Sequence, residues 1–515
     1  MTTFPWLTVL AVLPLIGALT LVFIKGPLAR TVGLAFALVT LVVAVVVAFR
    51  FDTGTAGLQL VETQSWIPAI GASYSLGVDG MGLLMVLLTA ILVPVVLIAV
   101  WDDPDANAGR WTSQSFFGLA LLLEGLSLYV FMATDVLLFY LFFEATLIPM
   151  YFLIGGFGAH KRSAAAMKFL LFSLAGGLVM LVSVIGVYAV QAGVGQPTYA
   201  LQSLQPAAAS GLFNTPVGKW LFAGFFIAFA VKAPMVPVHT WLADAAEASN
   251  PGSATLMVSV LDKIGTFGML RFCLGLFPEA SVWATPLVLV LALISIIYGA
   301  VAAIGQRNLM RFVAFTSVSH FGFMVLGIFA MTTSGISGSI FYMFNHGLST
   351  AALFLVVGYM VKRRGSADIA AFGGVQKVAP VMAGFLLVSG LSALALPGLS
   401  SFVSEFMVLA GTFSKYRWLA AFAAVALLLS AVYVMAVYQR TMTGPVTEQV
   451  TRTVHADLTL RERVAVVPLL AIILVLGFFP RPALKLAEPQ GAQTVTAMQS
   501  VGISEPKPQI PEGKN

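Results

Sequence analysis

The sequence predicts an all-α polytopic membrane protein with about 14 transmembrane helices, two inverted five-helix repeats, and broken helices at positions seven and twelve. Three observations lead there. The 515-residue chain is 59% hydrophobic and 9% charged, whereas a soluble domain carries about a quarter charged residues. Its apolar residues gather into runs near the roughly 20 residues that a membrane-crossing helix needs. Two of those runs carry proline in their middle. This composition excludes a soluble globular enzyme, a disordered tail protein and a fibrous protein.

The runs lie at about 4–23, 31–49, 80–100, 115–132, 136–157, 164–190, 219–245, 252–272, 285–304, 312–331, 338–360, 379–410, 419–440 and 464–479. The first begins MTTFPWLTVL with no basic residue ahead of it, which argues against a cleaved signal peptide. Lys25 and Arg30 follow it, placing the first loop inside and the N-terminus outside. In that orientation the loops after odd-numbered helices hold fifteen of the 27 basic residues, among them Arg110, Lys161, Arg162, Arg307, Arg311, Lys362, Arg363 and Arg364. The net charge of +6 therefore reads as topogenic, not as a nucleic-acid surface. The loop WDDPDANAGRW is acidic, but Asp and Glu carry little weight in that rule. The run at 379–410 is too long for one straight helix, and the last run is short. The stretch after Pro480, ending EPKPQIPEGKN, is polar and proline-bearing and reads as disordered.

The seventh run reads FIAFAVKAPMVPVHTWLADAAEAS, where Pro234 and Pro237 each remove a backbone donor. The twelfth reads VSGLSALALPGLSSFVSEFMVLAG, with Pro397-Gly398 at its centre. Broken helices at membrane depth persist only where the freed groups are buried in protein or line a wet cavity. A pair of such breaks at matching positions marks a transporter built from repeats.

The charges inside the runs are Glu124, Glu144, Lys232, Asp262, Lys263 and Glu405, joined by His239, His320 and His346. Each charge costs about 2.5–3.5 kcal/mol on insertion scales, so the group needs partners or water. Lys168, near the start of its run, can snorkel to the surface. Glu144 precedes Lys232 by 88 residues and His320 precedes Glu405 by 85, each pair leading to a broken helix. The chain thus divides into a three-helix segment at 1–114, repeats at 115–272 and 285–440, and a last helix with a polar tail at 441–515. A repeat with an odd number of helices enters the membrane from the opposite side to its neighbour, which makes the copies inverted.

Lys232 has two readings. It donates to carbonyls freed by Pro234, or it carries a proton. A carrier needs a switch, and an adjacent Glu144 supplies one: near Lys232 it holds the proton, and moved away it lets the proton go. Lys263, His320 and His346 extend the second reading sideways, since imidazole passes protons near neutral pH. A lone histidine of this kind is more often a satisfied core residue, but three accompany two lysines here. Glu405 then forms the terminal site, and Asp262 faces another side of its helix and pairs at most locally. The single Cys273 excludes an internal disulfide, a cysteine-held cluster or a structural zinc site. No Walker loop, GxGxxG before a βαβ unit, or HExxH occurs, and Gly155-Gly156 and Gly176-Gly177 read as close helix packing.

The stretches FFEATLIPMYFLIGGFG, FAVKAPMVPVHTWLADAAEAS, SATLMVSVLDKIGTFGMLRF, VAFTSVSHFGFMVLGI and MFNHGLSTAALFLVVG resemble the antiporter-like membrane subunits of respiratory complex I over about residues 80–440. Glu405 in LALPGLSSFVSEF selects the branch with a glutamate there, where the sister chains L and N carry lysine. The resemblance implies a proton-translocating membrane-arm subunit of NADH:quinone oxidoreductase. It implies Glu144 and Lys232 as a coupled pair, Lys263 as the central lysine, His320 and His346 as relay, Glu405 as exit-side carrier and Glu124 as a second glutamate on helix four. No cofactor is implied on this chain; NADH, FMN, iron–sulfur clusters and quinone belong to other subunits. The implied partners are the other membrane-arm subunits, especially chains L and N, in a bacterial cytoplasmic membrane. The competing readings are a subunit of a multi-subunit monovalent cation/proton antiporter, a non-pumping structural subunit and, more remotely, a solute carrier. Under the proton-translocating reading, Glu144→Ala abolishes most quinone-coupled NADH oxidation; near-normal turnover in a fully assembled mutant contradicts it.

Overall fold

The computed structural model describes residues 4–103, 111–499 and 501–502. Its helices are α1 (Trp6–Phe23), α2 (Pro27–Arg50), α3 (Gly80–Ala99), α4 (Ser113–Met132), α5 (Val136–Ala145), α6 (Leu147–Phe157), α7 (Arg162–Ala192), α8 (Leu201–Ala209), α9 (Pro216–Lys232), α10 (Thr240–Ala248), α11 (Pro251–Leu256), α12 (Lys263–Gly268), α13 (Pro278–Ile304), α14 (Leu309–Ala330), α15 (Thr333–Arg364), α16 (Pro380–Ala393), α17 (Ser400–Lys415), α18 (Arg417–Met442), α19 (Glu448–Thr453), α20 (Leu460–Phe478) and α21 (Arg481–Gln499). Among the described residues, ten helical stretches are long and apolar enough to cross a membrane, with α5 and α6 forming one of them. The number rises to eleven if α20 and α21, bent by 69°, count as one span. The chain is thus an almost wholly helical membrane protein.

The remaining apolar runs fall on helices that are broken. The run at 219–245 divides into α9 and α10, and that at 379–410 into α16 and α17, each at its prolines. Neither half is long enough to cross alone. The run at 252–272 is continuous but irregular, because π-helical turns at Met257–Leu261 and Met269–Leu274 flank α12. Such turns insert an extra residue into the ladder and often mark functional positions. Nothing in the sequence pattern announces them.

Two expectations are corrected. The all-α reading omits an antiparallel hairpin of β1 (Gln59–Ile67) and β2 (Ala72–Val78). Its turn ends at Gly71, in the left-handed region at φ 64°. The hairpin lies outside the apolar runs, so a search for membrane spans passes over it. The second correction concerns the stretch after Pro480, read as disordered. It forms α21, which buries Ala483, Leu486, Ala487, Gly491, Val495 and Met498. Those positions share one helical face, and the polar average of the segment conceals them. Gly80 and Gly491 let α21 approach α3 and α15, since a side chain at either would meet Leu486 O or Ser337 Oγ. The terminal EPKPQIPEGKN lies outside the described residues.

Polar contacts separate the two ends of the bundle. At one end Asp102 binds Arg30 at 2.7 Å and Arg461 at 2.5 Å, and Asp103 binds Lys362 at 2.5 Å. Asp244 binds Lys168 and Arg311, each at 2.6 Å. The acidic loop after α3 therefore serves as the counter-charge for the basic loops on the same face. The hairpin lies at the other end, where Thr134 N donates to Ser75 O and Leu201 N to Thr134 O. Between the ends, α14 and α15 are buried along their spans, while α1, α2, α7, α13 and α18 present apolar side chains outward. This is the arrangement a lipid-embedded bundle requires.

Arg363 stands out among the end contacts. It bonds both carboxylate oxygens of Glu462, at 3.0 and 2.6 Å, and the carbonyls of Ala456 and Asp457. Both side chains are largely buried. Removing one partner of such a pair leaves an uncompensated charge, worth about 3–5 kcal/mol. Arg363→Ala is thus expected to lower the thermal unfolding midpoint in mild detergent, and an unchanged midpoint rules out a structural role for the pair.

Candidate functional site

The site begins where α5 meets the broken pair α9/α10. Glu144 lies in the last turn of α5 and faces Gly177 of α7; any side chain at Gly177 would overlap its carboxylate. The Gly176-Gly177 pair therefore does more than permit close packing, because it makes the room that Glu144 fills. Lys232 is the last residue of α9 and is fully buried. The C-terminal end of a helix favours a cation. Its Nζ lies 5.1 Å from the Phe143 ring and 5.5 Å from the Phe169 ring. No protein group hydrogen-bonds it. It therefore does not serve the carbonyls freed by Pro234. Trp241 Nε1 donates to Val231 O at 3.0 Å, and the Ser295 hydroxyl oxygen accepts from the Val236 N–H at 3.0 Å. Glu144 and Asp262 are the carboxylates whose charges act on Lys232. Glu144 and Lys232 are thus coupled by field and not by an ion pair, since no salt bridge joins them.

The second part lies along α15. Lys263 Nζ donates to Val258 O at 2.9 Å and to His346 Nδ1 at 2.8 Å, and lies 4.6 Å from the Phe321 ring. With Nδ1 accepting, His346 Nε2 carries the proton and donates to Thr350 Oγ1 at 3.1 Å. The His346 and His320 rings meet edge to face at 5.1 Å. His320 reaches the backbone of Ala393, the last residue of α16, where the helix breaks. Tyr342, one helical turn before His346, has its ring 6.0 Å from that of His320, and its hydroxyl donates to Glu405 Oε2 at 2.9 Å. Asn345 Nδ2 donates to Ser400 O at 3.0 Å and Ser404 Oγ at 3.2 Å, tying α15 to the start of α17. Ser349, Ser392 and Ser401 share hydroxyl contacts beside the same break.

Lys263, His346, His320, Tyr342 and Glu405 therefore form one buried polar run across four helices, α12, α14, α15 and α17. Glu144 and Lys232 form a second group. Glu124 stands apart: it is buried in α4 and neither carboxylate oxygen has a hydrogen-bond partner. His239 sits in the α9/α10 break with its ring 4.9 Å from that of Tyr298. Lys168 does more than snorkel, because it holds Asp244 and the Thr240 carbonyl at the head of α10. Asp262 forms no local pair; both of its oxygens are buried without a hydrogen-bond partner. Among the described residues, no group of three or more His, Cys, Asp or Glu is placed to hold a metal ion.

Sequence reasoning missed Tyr342 and Asn345. A signal was present: Tyr342, Asn345, His346, Ser349 and Thr350 recur at helical spacing in an apolar run. It also missed the buried pair of Arg271 and Asp79, at 2.7 Å. Arg271 falls at the edge of its run and Asp79 in a loop, and only folding brings them together.

The family profile described as NADH:quinone oxidoreductase/Mrp antiporter, TM, matches residues 133–430. NADH-quinone oxidoreductase subunit M of Mycobacterium tuberculosis (strain H37Rv) is 48% identical over 540 positions, covering 99% of this chain and 97% of the relative. The subunit M of Rhodobacter capsulatus is 36% identical, covering 95% of this chain and 96% of the relative. A chain of respiratory complex I from Thermus thermophilus with bound NADH superposes with a TM-score of 0.84 at 30% identity, over 96% of this chain and 100% of that one. A chain of the Mrp complex from a Dietzia species also gives 0.84, at 22% identity over 97% of this chain and 100% of that one, a likeness of fold alone. The chain belongs to the NADH:quinone oxidoreductase/Mrp antiporter membrane family, among its NADH-quinone oxidoreductase subunit M members.

Proposed function

We propose that this chain is a proton-translocating membrane-arm subunit of an NADH:quinone oxidoreductase, and that protons move through it on buried lysine, histidine and carboxylate side chains. The observation that carries this reading is the polar run from Lys263 through His346, His320 and Tyr342 to Glu405, placed inside an apolar bundle. A chain of titratable groups in lipid is expensive to maintain and has little use except to move charge.

In this reading Glu144 and Lys232 form the entry switch. The aromatic walls around Lys232 offer no fixed acceptor. Its protonation then follows the distance to Glu144, because a carboxylate nearby stabilises the ammonium and a departing one does not. Lys263 receives the proton and passes it to His346, with His320 and Tyr342 leading to Glu405. Driving one charge against a membrane potential of about 150 mV takes roughly 3.5 kcal/mol, which the oxidation of NADH elsewhere in the assembly supplies. NADH, FMN, iron–sulfur clusters and quinone are assigned to other subunits, and chains L and N to the neighbours of this one.

Counting each broken or bent helix as one crossing gives fourteen. On that count 1–114 holds three helices, 115–272 and 285–440 hold five-helix repeats, and 441–515 holds the last helix and tail. The matching breaks after Lys232 and before Glu405 support inverted repeats. The face rich in Arg and Lys is assigned to the cytoplasm and the N-terminus to the outside.

Tagging the chain and extracting it in mild detergent is expected to bring NADH–quinone reductase activity with it, and Lys232→Ala is expected to remove proton pumping from the assembled complex. Arrival without NADH activity, combined with sodium-dependent proton exchange in vesicles, points instead to a cation/proton antiporter subunit. Pumping intact in Lys232→Ala points to a structural subunit. Tyr342→Phe deletes the hydroxyl that bonds Glu405; it is expected to assemble normally and slow pumping about a hundredfold, at the low end for removal of a proton-transfer group. Wild-type rates in that variant remove Tyr342 from the path.

A further inference from the structure

The two halves of the proposed path lack an evident connection. Lys232 ends α9, and Lys263 opens α12 with its ammonium turned toward His346 on α15. Asp262 lies beside Lys263, at the junction of a π-helical turn and α12. It is fully buried and neither carboxylate oxygen accepts a hydrogen bond from the protein. A carboxylate kept for packing or capping would be bonded, because an unpaired buried charge is among the costliest groups a fold can hold.

Its surroundings show where it faces. Three residues on, Gly265 packs so closely on the end of α9 that a side chain there would strike Ala233 N and Phe229 O. Residues three apart share a helix face, so Asp262 looks toward the end of α9, where Lys232 also lacks a partner. Lys263, the next residue, lies about 100° round the helix and points to His346. Asp262 thus stands within electrostatic reach of both lysines.

We infer that Asp262 is a proton station between Lys232 and Lys263, joining the Glu144–Lys232 group to the run that ends at Glu405. The inference rests on the proton-translocation reading above. In the transfer, the Lys232 ammonium gives one proton to the Asp262 carboxylate and becomes a neutral amine. The resulting carboxylic acid gives that proton to the neutral Lys263 amine and returns to a carboxylate. Charge is conserved at each step, and a negative site between two cationic ones offsets their mutual repulsion.

The test uses the whole complex in membrane vesicles, with assembly checked by the size of the purified particle and Lys232→Ala as the control. Asp262→Asn, which keeps the shape and removes the proton site, is expected to cut NADH-driven pumping about a hundredfold or more. Asp262→Glu is expected to restore pumping with a displaced pH profile. The titratable and charged groups on the packed elements are Lys219 and Lys232 on α9, Glu124 and Tyr129 on α4, Arg311 and His320 on α14, and Tyr342, His346, Tyr359, Lys362, Arg363 and Arg364 on α15, with none on α3. Of these, only Lys232, with the adjacent Lys263, acts on Asp262 by charge. Wild-type pumping in Asp262→Asn, with Lys232→Ala inactive, overturns the inference and leaves the translocation reading standing. Wild-type pumping in both variants overturns both. If Asp262→Asn fails to assemble, Asp262→Glu decides: a displaced pH profile supports the station, and an unchanged one overturns it.

Discussion

The hydrogen bond between Lys263 and His346, 2.8 Å long and deep in the bundle, is the contact around which the rest is organised. An ammonium group in an apolar interior needs acceptors. One comes from Val258, whose α-helical donor, the Asp262 N–H, bonds Met257 instead. The π-helical turn therefore frees a carbonyl where the lysine needs one. The other acceptor comes from α15, whose burial along its span holds the imidazole in place. Once His346 is fixed by Lys263 and Thr350, His320 and Tyr342 fall within reach, and Tyr342 meets Glu405.

The helix breaks serve the same end. A broken helix exposes backbone groups that lipid cannot satisfy. At the α9/α10 break, Trp241 and Ser295 satisfy that backbone, which leaves Lys232 without a fixed partner. At the α16/α17 break, Asn345 and His320 reach the backbone at Ser400 and Ala393. The first break leaves Lys232 unpartnered, and the second is tied to α15 through Asn345 and to α14 through His320. The two interruptions look alike in sequence but differ in what their neighbours do with the freed groups.

Much of this architecture was legible from the chain. The apolar runs locate the helices, because lipid admits only long apolar segments and the runs have no other use. The prolines locate the breaks, since Pro234, Pro237 and Pro397 remove donors that a continuous ladder needs. The ionisable residues of the proposed path were legible for the same reason: Glu144, Lys232, Lys263 and Glu405 are conspicuous against an apolar background. The hairpin at 59–78 and α21 were not legible, because both lie outside the runs and their buried faces are mixed with polar residues. Tyr342 was overlooked because a tyrosine in an apolar run is unremarkable until its hydroxyl finds a carboxylate.

The sequence by itself determined the membrane setting, the approximate helix positions, the two breaks and the set of ionisable groups, because each follows from local composition and backbone chemistry. Only the tertiary structure decided which of those groups meet. Lys263 and His346 are 83 residues apart, and Tyr342 and Glu405 are 63 apart. Contacts at that separation depend on how helices stack, on glycines such as Gly177 and Gly265 that let them approach, and on a π-helical turn that no residue pattern announces. Local propensity carries no information about packing at such range, so the pairing of charges belongs to the fold.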